Sequence, residues 1–136
     1  MTPDTDDLDL APARFRALGN DFLDLAAQWL AAEPDAPVLA RPGGAELAEL
    51  LAEPPPEHGL DSAVLLAELR HKVLRHSRRN GHPRQFAHVC ASPDPVGALA
   101  DLLASTINQN VTAWRSAPAA VTVERQVLRW LDTLVG

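Results

Sequence analysis

Apolar residues recur at steps of three and four in four stretches of the chain, and turn-forming residues fall between those stretches. The first, from about Pro12 to Ala32, sets Phe15, Leu18, Phe22, Leu25 and Trp29 on one helical stripe that demands burial, and Pro34 ends it. A second helix is predicted to open at Asp61, whose carboxylate suits an N-cap, and to run to about His76 with Leu65, Leu66, Leu69 and Val73 on one face. Arg70, Lys72 and Arg75 fall on its C-terminal turns. Asp94-Pro95 marks a third start, a cap followed by a proline whose missing N–H costs nothing at the first helical position. That helix carries Leu99, Leu102, Leu103, Thr106 and Ile107 and should close near Asn110. The fourth begins at Pro118, with Val123, Val127, Trp130, Leu131 and Leu134 inward and Arg125, Arg129 and Asp132 outward.

The connectors are long. Residues 34–59 are punctuated by Pro and Gly around a short helical run, Ala-Glu-Leu-Ala-Glu-Leu-Leu-Ala-Glu, which Pro54, Pro55 and Pro56 forbid from continuing. Residues 77–93 read as irregular and mostly extended. Strand-period alternation is missing, so the predicted fold is all-α: about four helices with long irregular connectors, in a single helical domain over residues 1–136 whose first 11 residues are flexible. Connectors beyond about 12 residues are uncommon in self-contained domains, which points to packing surface supplied by another chain. The apolar end Leu134-Val135-Gly136 is expected to be covered as well.

Charge refines this picture. The net charge is -6, yet residues 1–68 hold 14 acidic and 3 basic residues and residues 69–136 hold 4 acidic and 9 basic. Six of the 12 Lys and Arg lie between Arg70 and Arg84, with three histidines and no carboxylate, a patch suited to phosphate, to an acidic partner surface or simply to a solvated helix end. An acidic chain with three Phe, three Trp and no Tyr does not read as a nucleic-acid binder. The N-terminus has four aspartates and no signal-like apolar run, and no stretch approaches the roughly 20 apolar residues that span a bilayer, so a cytoplasmic, membrane-free protein is expected. A lone Cys90 agrees with a reducing compartment.

Catalytic chemistry is hard to assemble from these residues. His71 and His76 are five apart, whereas two zinc ligands on one helical face want a spacing of four, so no metal site is expected. His88 and Cys90 alternate along an extended segment and point to opposite faces, against a thiolate–imidazole pair. There is no glycine-rich phosphate loop, Gly-x-Ser-x-Gly elbow or paired-carboxylate constellation. Lys72 is the only lysine; Arg70 and Arg75 beside it would lower its pKa, and an exposed structural lysine is the plainer reading.

The segment from Ser77 onward resembles the N-terminal region of the pyridoxal-phosphate-dependent decarboxylases of aromatic amino acids, histidine, glutamate and diaminobutyrate. The resemblance rests on His82-Pro83-Arg84 with Phe86, on Leu99-Ala100-Asp101 with Asn108 and Trp114, and on Pro118, Glu124 and Trp130-Leu131. Upstream, Phe15 to Gly19, Pro37-Val38-Leu39 and Pro54 to Gly59 extend it over nearly the whole chain. It implies the helical N-terminal extension of a fold-type I enzyme, embracing a second subunit. It also implies that the segment after His-Pro lines the substrate pocket, placing His88, Val89, Cys90 and Ala91 there, with Asn110 and Thr112 approaching across the interface. His88 and Val89 stand where the family has Tyr and a neighbouring aromatic, a departure that argues against an ordinary aromatic substrate.

The resemblance further implies that the Schiff-base lysine and the phosphate site lie on a larger pyridoxal-phosphate-binding partner. This chain would then be the small subunit of a heteromeric amino-acid decarboxylase, a heterotetramer, with no catalytic or cofactor-binding residue of its own. A non-catalytic helical interaction or regulatory module descended from such an enzyme is the alternative. His88 has two readings, a hydrogen-bonding group toward a polar substrate or a space filler.

Overall fold

A computed structural model describes residues 10–31 and 34–136. Residues 1–9, and with them most of the segment expected to be flexible, lie outside the described residues, as do Ala32 and Glu33. Among the described residues five α-helices occur: α1 (Pro12–Leu30), α2 (Gly44–Leu51), α3 (Ser62–Glu68), α4 (Pro95–Ile107) and α5 (Pro118–Val135). The described residues contain no strand, and the fold is all-α as predicted. α2 is the short helical run of the first connector. No helix among the described residues is long and apolar enough to cross a membrane. The chain divides into two compact units, Met1–Ser92 and Pro93–Gly136, each described by itself.

In the first unit α1 packs against α3. Pro12 sits in the first turn of α1, and Leu25 is its buried residue. The C-terminal end of α1 has no basic residue of its own in the last turn. A cation arrives from far along the chain instead. Arg79 donates from Nη1 to the Trp29 carbonyl (3.3 Å), and its guanidinium lies 4.3 Å from the Trp29 ring centroid. One residue thus satisfies a helix-end carbonyl, complements the macrodipole and makes a cation–π contact. Arg70 Nη2 donates to Gln28 Oε1 (2.9 Å), a second cross-link to the same turn.

Asp61 caps α3 as predicted, accepting from the Ala63 N–H at 2.9 Å. Beyond Glu68 the helix does not continue as an ideal α-helix. It widens into a π-helical turn over Leu69–Val73 and tightens into a 3-10 turn over Leu74–His76. A π-turn inserts one extra residue and rotates every later side chain. The expected stripe is displaced accordingly: Leu66 and Leu69 are half-buried, but Leu74 turns inward where Val73 was expected, and Leu65 and Val73 are exposed. Ser77 Oγ, donating to the Val73 carbonyl at 2.9 Å, closes the end.

The second unit holds α4 and α5. Asp94 accepts from the Val96 N–H at 3.0 Å and Pro95 opens α4, both as predicted. The helix closes on Asn108, whose left-handed backbone (φ 42°, ψ 51°) is a conformation that Asn tolerates better than most residues. α5 starts at Pro118 after the fully buried Ala117.

The apolar stripes themselves need correction. Among the described residues the buried apolar set is Leu25, Ala117 and Val121. Phe15 and Phe22 of α1 are exposed, as are Leu99, Leu102, Leu103 and Ile107 of α4. On α5, Val123, Val127, Trp130, Leu131 and Leu134, all expected to face inward, are exposed too, Leu134 at 80%. Helical period therefore identified the faces, but the described residues leave most of them uncovered, the α1 stripe keeping Leu25 buried and Leu18 and Trp29 half-buried.

Asp94→Ala should cost α4 about 1 kcal/mol of helix stability, the usual worth of an N-cap carboxylate. Amide hydrogen exchange at Val96, Gly97 and Ala98 measures it, with protection in α5 unchanged. Equal protection in both proteins would mean that Asp94 is not the stop that fixes this end.

Candidate functional site

The His-Pro segment is built on two overlapping turns, with the His82 N–H bonded to the Arg79 carbonyl at 3.1 Å and the Gln85 N–H to the His82 carbonyl at 2.9 Å. His82 is 3% exposed. Its Nδ1 accepts from the Arg84 N–H at 3.0 Å, which places the ring proton of the neutral imidazole on Nε2. That buried Nε2 finds no partner among the described residues. A buried donor left unpaired costs about 1–3 kcal/mol, so the site calls for an acceptor.

After this turn the chain runs exposed through Phe86 to Ala91. His88 adopts φ 67°, a left-handed conformation seen in His more often than in most residues but still uncommon. The Arg79 N–H donates to the Val38 carbonyl (2.9 Å), and Arg84 Nη2 donates to the Ala36 carbonyl (3.1 Å). These bonds draw the first connector alongside the His-Pro segment. Between them opens a cleft of about 630 Å³, with Arg41, Arg78, Arg84 and His88 on its walls and Val38, Leu39 and Phe86 contributing apolar surface.

His88 lines the cleft, whereas Val89, Cys90 and Ala91 are exposed and outside its lining. Cys90 is a free thiol. Asn110 and Thr112 belong to the second unit, where the Thr112 N–H (3.0 Å) and hydroxyl (2.7 Å) both donate to Asn110 Oδ1. They form a local side-chain turn. Of the motif residues, Pro83 lies in the turn after the buried His82 and Phe86 lines the cleft. In the second unit Asn108 is the α4 cap and Pro118 opens α5, while Asp101, Trp114 and Glu124 are exposed.

The sequence reading missed the convergence of Arg41 with Arg78 and Arg84. The cluster from Arg70 to Arg84 was visible, but its meeting with a residue nearly forty positions upstream depends on the Arg79–Val38 bond. A second cleft, of about 590 Å³, lies where Leu25, Gln28 and Trp29 of α1 face Arg70, Leu74 and Arg79. Among the described residues no three His, Cys, Asp or Glu side chains gather in a way that would hold a metal.

Lys72 decides what the chain can do with an aldehyde cofactor. Its ammonium is clamped between Glu53 and Glu68, and the side chain is 18% exposed, less open than the sequence reading had it. Hydrogen bonds to Glu53 and then Glu68, outweighing desolvation, hold its pKa above the usual 10.5, the reverse of the lowering that neighbouring arginines would give. A Schiff base needs a neutral amine. The chain's one lysine is held as a paired cation between Glu53 and Glu68, and no free amine is left for a Schiff base among the described residues.

The fold and the His-Pro loop define a helical piece of a fold-type I pyridoxal-phosphate enzyme: the crystal structure of mouse CSAD superposes with a TM-score of 0.80 at 25% identity, over 93% of this chain and 27% of that one. Residues 45–136 match the pyridoxal-dependent decarboxylase conserved domain, and the chain belongs to that family, whose cofactor is pyridoxal phosphate. It is 30% identical over 132 residues to the aromatic-L-amino-acid decarboxylase of Bacillus atrophaeus, covering 97% of this chain and 28% of that protein. The tyrosine decarboxylase of Oryza sativa subsp. japonica is 35% identical over 122 residues, 86% of this chain and 22% of the relative. The chain thus spans about a quarter of the length of these relatives.

Lys72→Met removes both ion pairs. Because the folded pKa is raised, the lysine's contribution to stability is complete below its ordinary value of 10.5 and vanishes as pH rises through the higher folded value. Thermal melts from about pH 8 to about pH 12 should show the native protein losing its advantage over Lys72→Met at the alkaline end. Parallel curves across that range would mean the clamp contributes nothing.

Proposed function

We propose that this chain is the small helical subunit of a heteromeric pyridoxal-phosphate-dependent amino-acid decarboxylase, giving subunit contacts and part of the substrate-pocket wall to a larger subunit that holds the cofactor. The observation that carries this reading is the exposed apolar surface of α1 in the first unit and of α4 and α5 in the second, where the buried apolar residues among those described are Leu25, Ala117 and Val121. Monomers rarely expose contiguous apolar patches beyond a few hundred Å², and helices of this kind gain their stability by covering such faces. The engagement of Lys72 supports the same division of labour, because the cofactor's reactive chemistry then belongs to the partner and orientation belongs here. A free exposed Cys90 agrees with a cytoplasmic assembly.

Co-expression with a pyridoxal-phosphate-binding decarboxylase chain that lacks this helical segment tests the proposal. The expected result is a complex stable through gel filtration, with substrate turnover by the complex and by neither chain alone. The lone chain should self-associate or bind a hydrophobic dye. Leu103→Glu and Leu134→Glu should each weaken the complex about 10- to 100-fold, the loss of one large apolar side chain from an interface. A lone chain that is monomeric, with a sharp cooperative melt and no affinity for the larger chain, overturns the reading.

Within the complex, His88 is assigned to the pocket wall, where its imidazole meets a polar substrate group. His88→Ala should lower kcat/KM about 10- to 100-fold, the effect of one lost hydrogen bond to a charged or buried group, with assembly intact. Unchanged kinetics in an intact complex would make His88 a space filler.

A further inference from the structure

The cleft beside His88 is unlike a wall built for an aromatic ring. Its charged side chains are three guanidiniums, Arg41, Arg78 and Arg84, and no carboxylate lines it among the described residues. The ion pairs found among the described residues are those of Lys72, so none of the three arginines is neutralised within the described fold. Three like charges around one cleft repel one another, and only Arg84 has a structural bond there, to the Ala36 carbonyl; Arg78 is half-buried, and Arg41 and Arg84 are exposed.

The guanidiniums are also partly organised. Arg84 is fixed at both ends, its N–H on His82 Nδ1 and its Nη2 on the Ala36 carbonyl, and that one bond leaves most of its five donors free. Arg78 precedes Arg79, whose N–H is tied to Val38. Gln85 and His88 add hydrogen-bonding capacity on the same walls.

We infer that this cleft is an oxyanion subsite, and that its occupant is the acidic side chain of an amino-acid substrate. Guanidinium groups bind carboxylates through paired, charge-assisted N–H···O bonds, and an anion placed between them removes their mutual repulsion. The apolar surface of Val38, Leu39 and Phe86 fits the methylene stem that carries such a group. Naming the substrate class rests on the proposed role of this segment as pocket wall. A free phosphate has the same oxyanion chemistry and is the other source of a ligand.

The test has two arms. In calorimetric titrations of the 136-residue chain, L-glutamate is compared with its neutral isostere L-glutamine and with inorganic phosphate. L-Glutamate should bind and L-glutamine should not, and Arg41→Gln with Arg78→Gln should weaken L-glutamate at least about tenfold. In the reconstituted complex the same pair of substitutions should lower kcat/KM for an acidic amino acid at least about tenfold and leave a neutral one unchanged. Phosphate binding tighter than L-glutamate in the first arm, with no substitution effect in the second, overturns the substrate assignment in favour of a free anion. No arginine-dependent response to L-glutamate in either arm overturns the subsite altogether. Failure of the complex to form defeats the heteromeric reading, and the first arm then decides the subsite alone. A complex that turns over substrate with no arginine-dependent preference defeats the inference and leaves the heteromeric reading standing.

Discussion

Arg79 is the contact on which the first unit depends. Its guanidinium closes the C-terminal end of α1 at Trp29, and its own N–H holds the first connector at Val38. Its carbonyl accepts from His82 to start the His-Pro turn. A helix end, a connector and a loop, separated by up to fifty positions in sequence, are thereby fixed to one residue. Little apolar burial is available for that task, since among the described residues of the first unit the buried apolar one is Leu25. Directional polar contacts therefore hold what a hydrophobic core would hold elsewhere. The cation–π contact and the helix-end bond reinforce each other, because both draw the same charge to the same turn.

The two units leave different things unfinished. In the second, the deficit is apolar: α4 buries no residue and α5 buries Val121. In the first it is polar as well, with an orphaned Nε2–H on His82 and three arginines around a cleft without a carboxylate. Apolar faces are satisfied by almost any shape-complementary apolar surface, whereas a buried N–H and a set of guanidiniums demand oxygen atoms at particular places. On the proposed reading, the first unit is where specificity is concentrated and the second where adhesion is.

Much of this was legible in the sequence, for local reasons. The caps Asp61 and Asp94 and the openings at Pro95 and Pro118 follow from side chains acting within three residues of themselves, and each appears where predicted. The helical stripes were legible as periodicity but not as burial, because period 3.6 says which residues share a face and nothing about what covers it. The π-turn at Leu69–Val73 was invisible for a related reason: inserting one residue into a helix leaves composition and capping signals untouched while moving Leu74 into the place of Val73. At the site, His88 was found through its loop. Arg41 was not, since its place beside Arg78 and Arg84 is set by the bond from Arg79 to Val38.

The treatment of charge separates structural cations from cations held ready for a ligand. Lys72 has two carboxylates on a single ammonium, more than neutrality requires, and its raised pKa shows that the fold stabilises its charged form. Arg79 is likewise consumed by Trp29 and Arg70 by Gln28. Arg41, Arg78 and Arg84 receive no carboxylate among the described residues and meet at a cleft. Repulsion among them raises the free energy of the isolated fold, and an arriving anion recovers it, so the same feature that weakens the chain alone strengthens its grip on a ligand of opposite charge. That asymmetry, with Lys72, Arg70 and Arg79 engaged within the fold and Arg41, Arg78 and Arg84 lining one opening, Arg84 through donors left over from its bond to Ala36, is what the proposed binding wall would require.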